Sequence, residues 1–173
     1  IKDSAKEIYL LGDILDYWYE YRYVVPRGFT RFFGKIAELS DLGVKIYWFI
    51  GNHDIWIFDY LPSELGITVV DGPMVKDISG KRFFIDHGDA VGKRKLSFRI
   101  LRSVFRNKVC QKLYAAIHPR WTIPFALGWS RGSRAKDSFP QYLGEGKECL
   151  EEFAKHYDDG RHIDFFVFGH RHI

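Results

Sequence analysis

Cysteine is nearly absent from this chain. Cys110 and Cys149 are the only two, too few for a disulfide framework, and both fall in helix-like stretches away from the His and Asp clusters, so they read as reduced and structural. No run approaches the roughly 18 consecutive apolar residues of a membrane-spanning helix. The first residues, Ile1-Lys2-Asp3-Ser4, lack the charged-then-apolar pattern of a secretory signal, and a cytoplasmic location is the expectation. Internal repeats, low-complexity tracts and linkers rich in Pro, Gly and Ser are also missing, which points to a single domain over residues 1–173 rather than a string of modules. What remains is 46% hydrophobic and 17% aromatic, a globular composition with enough apolar surface for a real core.

Acid is missing from one long segment. Between Ala90 and Lys136 there is no Asp or Glu, while twelve of the 26 basic residues lie there; the remaining 14 basic and 22 acidic residues leave the rest of the chain at −8, hidden under a formal net charge of +4. A block of one sign implies an anionic partner, whether nucleotide, phospholipid surface or nucleic acid, or else a solvated helix face.

Four apolar, β-prone runs each stop at a cluster of metal-binding side chains. They are Ile8 to Leu11 before Gly12-Asp13, Ile46 to Ile50 before Gly51-Asn52-His53-Asp54, Phe83 to Ile85 before Asp86-His87-Gly88-Asp89, and Phe165 to Phe168 before Gly169-His170-Arg171-His172. Ligands of open α/β sheets collect beyond the carboxyl ends of the strands, so the clusters are expected to converge. Between the runs, helical spacing marks Phe29 to Ser40, with Thr30 as cap and Gly43 as stop, a short piece around Ile57 to Leu65, and Gly146 to Tyr157. Ile67 to Val70 reads as a short strand, and Met74 to Ile78 with Arg82 to Ile85 as a hairpin around Ser79-Gly80. Leu96 to Ile117 reads as a basic amphipathic helix or helical pair, whereas Pro119 and Pro124 predict irregular structure over His118 to Trp129. This alternation predicts a layered α/β sandwich with a basic helical cap over residues 93–136, inserted after His87.

Asp, Asn and His suit a borderline-hard divalent ion such as Mn²⁺, Zn²⁺ or Fe²⁺; a structural zinc site would normally use cysteine. In His170-Arg171-His172 the imidazoles are two residues apart, so on extended backbone both face one side and can serve adjacent ions. Two ions about 3.5 to 4 Å apart, bridged by a carboxylate, can polarise a phosphoryl group and activate water.

Taken in order, Gly12-Asp13-Ile14-Leu15-Asp16, Gly51-Asn52-His53-Asp54, His87-Gly88 and Gly169-His170-Arg171-His172 resemble successive blocks of the calcineurin-like metallophosphoesterases, and the resemblance covers nearly the whole chain. It implies an α/β/β/α sandwich and a phosphoester or pyrophosphate hydrolase with two divalent ions, manganese by preference. It implies that Asp13 bridges, that Asn52, His87 and His170 hold one ion, and that His172 holds the other. His53 is then catalytic, stabilising charge on the phosphate or protonating the leaving oxygen, and Asp54 orients it. Within the family, Tyr17-Trp18-Tyr19, Arg106-Asn107-Lys108, His118-Pro119 and Ser130-Arg131 to Arg134 are most similar to the branch of lipid A biosynthesis that cleaves UDP-2,3-diacylglucosamine to UMP and a diacylated sugar phosphate. That similarity implies an anionic nucleotide-lipid substrate, transient contact with an anionic membrane surface on the cytoplasmic side, and phosphate contacts from Arg131 and Arg134. Trp129, with Trp121 and Phe125, either lines an acyl groove or packs within the insertion.

The family's opening Asp-x-His block has no counterpart here, and Ile1 to Glu7 reads as the end of a helix that would follow it. The chain also stops at Ile173, where family members continue into further strands, so it is expected to be part of a longer protein. Nucleic acid is not the expected partner. Two alternatives stay open: a phosphodiesterase of the same family acting on nucleotides or nucleic acid, and an inactive scaffold. Asp16 and Asp89 are either groups supporting the site or ordinary cap and loop residues. Gly128-Trp129-Ser130-Arg131-Gly132 matches the nucleophile-elbow pattern of serine hydrolases but lacks the strand before it and the apolar helix after it, and reads as a decoy.

Overall fold

The computed structural model describes residues 4–92, 96–136, 142–144 and 146–171, the side chains of 133–136 excepted. Among these lie two three-stranded sheets. In the first, β1 (Glu7–Leu10), β2 (Lys45–Phe49) and β3 (Thr68–Val70) run parallel in that order. In the second, β4 (Met74–Ile78) pairs antiparallel with β5 (Lys81–Asp86), which pairs parallel with β6 (Phe165–Phe168). Ser4 to Lys6 form no helix, and Glu7 already belongs to β1, because its partner Lys45 draws it into the ladder.

Period-2 alternation explains how β2 serves two layers. Ile46 and Trp48 point into a core shared with α1 (Thr30–Asp41) and α2 (Tyr60–Leu65), where Phe33, Ile36, Leu39, Leu61 and Leu65 close over Trp18. Tyr47 points the other way and stacks on Tyr9 of β1 at 5.1 Å. Lys76 of the second sheet reaches over both rings, donating to Glu7 and to the Tyr47 hydroxyl at 2.7 and 3.0 Å. On the far face of the second sheet, Phe84 packs on Phe153 of α6 (Cys149–His156) and on Tyr157 just beyond it. The order of layers is therefore helix, sheet, sheet, helix, as the family resemblance implies.

The remaining helices, α3 (Leu96–Arg106), α4 (Lys108–Ala115) and α5 (Pro119–Lys136), lie between β5 and β6 in the chain. The basic stretch is a helical pair because Asn107 breaks it: the Asn107 side chain accepts from Val109 and Cys110 amides at 2.9 and 3.1 Å and caps α4. His118 to Trp129 is not irregular. Pro119 opens α5 at a position where no N–H is needed, and the one hydrogen bond lost at Pro124 is outweighed by Ile123, Ala126 and Leu127 packing against Tyr17, Tyr19, Ile55 and Trp56. Hydrogen bonds tie the pair to the same surface, from the Tyr19 hydroxyl to the Gln111 carbonyl (2.7 Å) and from the Trp56 indole to the Phe105 carbonyl (2.8 Å). No described helix is long and apolar enough to cross a membrane.

Thr30 is not the cap of α1; it is the first helical residue, and Phe29 holds the cap position without a side-chain bond. The other end follows expectation. Gly43, at φ 85°, lets its own amide reach Ser40 and the Val44 amide reach Leu39, a complete Schellman closure. Because no neighbour approaches a Cβ at this site, Gly43→Ala should cost only the left-handed backbone penalty, about 1 kcal/mol, read from the denaturant midpoint at unchanged m-value.

Candidate metal centre

The carboxyl ends of β1, β2, β5 and β6 arrive at one rim, and two turns there are locked to each other. Asp54, fully buried, accepts from the amides of Gly51 (2.7 Å), Ile14 (3.1 Å) and Asp13 (3.3 Å) and from the Trp48 indole (3.2 Å). In return, Asp13 Oδ1 accepts the His53 amide at 2.7 Å. This reciprocal grip holds Asp13 at φ 54°, a left-handed conformation that a residue with a Cβ rarely adopts. Glycine at 51 is a steric requirement: a Cβ there would sit 2.3 Å from Asp13 Oδ1. A Cβ on Gly169 would likewise meet the Leu11 carbonyl at 2.3 Å, so the β6 turn can approach the β1 turn only without a side chain.

Within this frame His87 is oriented by its backbone contact. Its Nδ1 lies 2.7 Å from the Leu11 carbonyl, which can only accept, so Nδ1 carries the proton and Nε2 faces inward, 3.4 Å from both Asp13 Oδ2 and Asn52 Oδ1. The His170 ring packs against it at 5.2 Å, edge to face, and the His170 amide is anchored on the His87 carbonyl at 2.9 Å. One donor atom each from Asp13, His87 and His170 falls within 4.8 Å of the others. An imidazole whose second nitrogen is fixed by a carbonyl, beside a carboxylate, a carboxamide and another imidazole, is the donor set and supporting hydrogen bond of a divalent cation site.

Electrostatics agrees with the geometry. Burial pushes the Asp13 carboxyl up, but the His87 ring and the His53 amide outweigh it and hold the group below the usual carboxylate range. Burial pulls His87 down, and its bond to Asp13 lifts it above an ordinary imidazole. Asp54 is pushed up by burial and by the charge of Asp13, against its four donors.

Of the expected residues, Asp13, Asn52, His87 and His170 meet as described; His172 and the Arg134 side chain lie outside the described residues. Asp54 does not orient the His53 ring, because its oxygens are taken up by the two turns and Trp48. Instead, His53 Nδ1 meets the Ser130 hydroxyl at 3.0 Å and the Asp16 carbonyl at 3.3 Å. Asn52 and His53 form part of the wall of a cavity of about 420 Å³, mostly apolar, lined by Trp56 on the body side and by Phe105, Phe125 and Trp129 on the helical side. Trp129 and Phe125 thus line a groove, while Trp121 and Arg131 are exposed outside it. Asp89 is buried in an ion pair with Arg102 at 2.8 Å. Ser130 was hidden in the decoy motif, although Ile123, Ala126, Leu127 and Ser130 share the i, i+3, i+4, i+7 spacing of one helix face.

Residues 1–173 match the calcineurin-like phosphoesterase family. The chain is similar to a protein of Porphyromonas gingivalis named UDP-2,3-diacylglucosamine hydrolase, 47% identical over the whole chain and 71% of that relative. Proteins of the same name match from Neisseria meningitidis, at 29% identity over 76% of the chain and 54% of the relative, and from Pseudomonas entomophila, at 33% over 60% and 42%. The chain thus spans 71% of the first relative and about half of the other two.

Two substitutions should separate frame from chemistry. Asp54→Ala leaves three amides and an indole buried without an acceptor and should cost about 3 kcal/mol or more in unfolding free energy, whereas His53→Ala should stay within about 1 kcal/mol. Gly51→Ala should displace Asp13 and weaken divalent-cation binding by about tenfold or more in calorimetric titration.

Proposed function

The chain belongs to the calcineurin-like phosphoesterase family, and from that premise we propose that it is the hydrolase of UDP-2,3-diacylglucosamine, adding water across the pyrophosphate to release UMP and 2,3-diacylglucosamine 1-phosphate. The observation that carries this reading is the meeting of Asp13, His87 and His170 beside an apolar cavity that shares Asn52 and His53 with the same rim. Hydrolysis of a phosphate joined to acyl chains needs both halves of that arrangement. The shared name of relatives up to 47% identical supports the substrate.

In this reading Asp13, Asn52, His87 and His170 would hold one divalent ion, and Asp13 and His172 would serve a second; manganese is the preferred metal. When bound, the pair supplies positive charge to the phosphoryl oxygens and lowers the pKa of water. His53, on the cavity wall, would stabilise charge on the scissile phosphate or give a proton to the departing oxygen from Nε2, in the imidazolium form that carries a proton on both ring nitrogens. Asp54 serves by holding the turns that carry Asp13 and Asn52. Phe125 and Trp129 give the acyl groove an apolar wall for the chains to cover, and Arg131 and Arg134 contact phosphate.

Residues 93–136 act as a cap whose outer face meets lipid. Leu96, Ile100, Val109 and Leu113 are exposed on α3 and α4, among Arg and Lys side chains, the composition of a helix that rests on an anionic membrane surface. That surface and the lipid-bearing substrate support contact with a membrane, which we place at its inner, cytoplasmic face.

Turnover by the full-length protein tests the reading. UDP-2,3-diacylglucosamine with Mn²⁺ should release UMP, chelation should stop it and Mn²⁺ restore it, and Asp13→Asn should lower the rate about a hundredfold or more. Mn²⁺ at about 100 times its Kd should also stabilise the fold by about 2.7 kcal/mol. Hydrolysis of a cyclic nucleotide or single-stranded DNA without turnover of the lipid would move the protein to the nucleotide-acting members of the family; one bound ion and no hydrolysis would make it a scaffold.

A further inference from the structure

Ser130 is a polar side chain on the inward face of α5, 5% exposed, surrounded by aromatic and aliphatic residues of that face. Such a hydroxyl needs a partner, and the one it has is His53 Nδ1 at 3.0 Å, across 77 residues of sequence. The same nitrogen lies 3.3 Å from the Asp16 carbonyl. A carbonyl cannot donate, so both contacts are satisfied only when Nδ1 carries the proton and shares it between Asp16 and the Ser130 oxygen. This tautomer excludes a serine nucleophile, because His53 then has no lone pair at Nδ1 to take the hydroxyl proton, and Ser130 lies inside a helix rather than at a strand-to-helix turn.

We propose that Ser130 is a positioning residue: it fixes the rotation of the His53 ring, whose tautomer the Asp16 carbonyl sets, so that Nε2 is the nitrogen presented to substrate, and it makes α5 a part of the reaction geometry. The role is the one that a carboxylate or carbonyl plays behind an imidazole in many sites, supplied here from the helical segment instead of the sheet. Asp54, the neighbour of His53 in sequence, is occupied with the two turns and leaves this position to Ser130. The inference rests on the role given to His53 above, and deepens it.

The test uses the full-length protein and two readouts. In the metal-free protein, long-range ¹H–¹⁵N correlation of the His53 ring should report Nδ1 protonated in the parent, displaced ring ¹⁵N and ¹H shifts in Ser130→Ala as the ring loses its fixed rotation, and the parent pattern again in Ser130→Thr, which keeps the hydroxyl. With UDP-2,3-diacylglucosamine and Mn²⁺, Ser130→Ala should lower kcat about tenfold or more with KM within about twofold, and Ser130→Thr should recover most of it. Unchanged ring signals in Ser130→Ala would overturn the proposal, as would a rise in KM at constant kcat, since Ser130 would then bind substrate. Full turnover in His53→Ala would instead overturn the catalytic role of His53 itself. A dead His53→Ala with an unaffected Ser130→Ala overturns the positioning role alone.

Discussion

Everything at the rim depends on one buried carboxylate. Asp54 gathers three amides from two turns and an indole from the core, and no water competes for it. Removing a charge from water is expensive, and only a full complement of donors makes the burial tolerable. The same four bonds define how the β1 and β2 turns stand to each other, and hence the strained backbone at Asp13 and its distance from His87. The side chains that face a cation are held by a residue that never meets it.

The parts of this arrangement that follow from short-range pattern were legible in the sequence. Each of the four strands ends where its apolar run ends, within a residue, because burial on a sheet face and the turn that follows are local properties. Convergence of Asp13, Asn52, His87 and His170 followed from the rule that such turns share one edge. What was not legible depends on contacts made in space. The two prolines of α5 argue against a helix locally, and the helix forms because Ile123, Ala126 and Leu127 find the aromatic face around Trp56. Asp54 and His53 are adjacent in sequence, which suggested a pair, yet backbone donors from a turn 40 residues away claim the carboxylate. Ser130 gave no signal except its place on that helix face.

The basic stretch is also more than a lure for anions. Arg102 pairs with Asp89, and Arg106 with both oxygens of Asp71 at 2.6 Å, so part of its charge docks the helices onto acids of the sheet portion. The Tyr17 and Tyr114 hydroxyls meet at 3.0 Å across the same seam, and burial raises both phenols. The helical segment is therefore joined to the body by specific polar bonds as well as by aromatic packing. A cavity wall built this way keeps its shape better than one held by apolar contact alone.

The order of the strands has a consequence for biogenesis. The donors stand at positions 13, 52, 87 and 170, and the last arrives only when β6 pairs with β5 across the intervening helices. Closing so long a loop costs entropy before any contact repays it, which makes this pairing a late event as the polypeptide leaves the ribosome. A nascent chain with only its first five strands in place offers an incomplete nest, so ion capture coincides with completion of the second sheet.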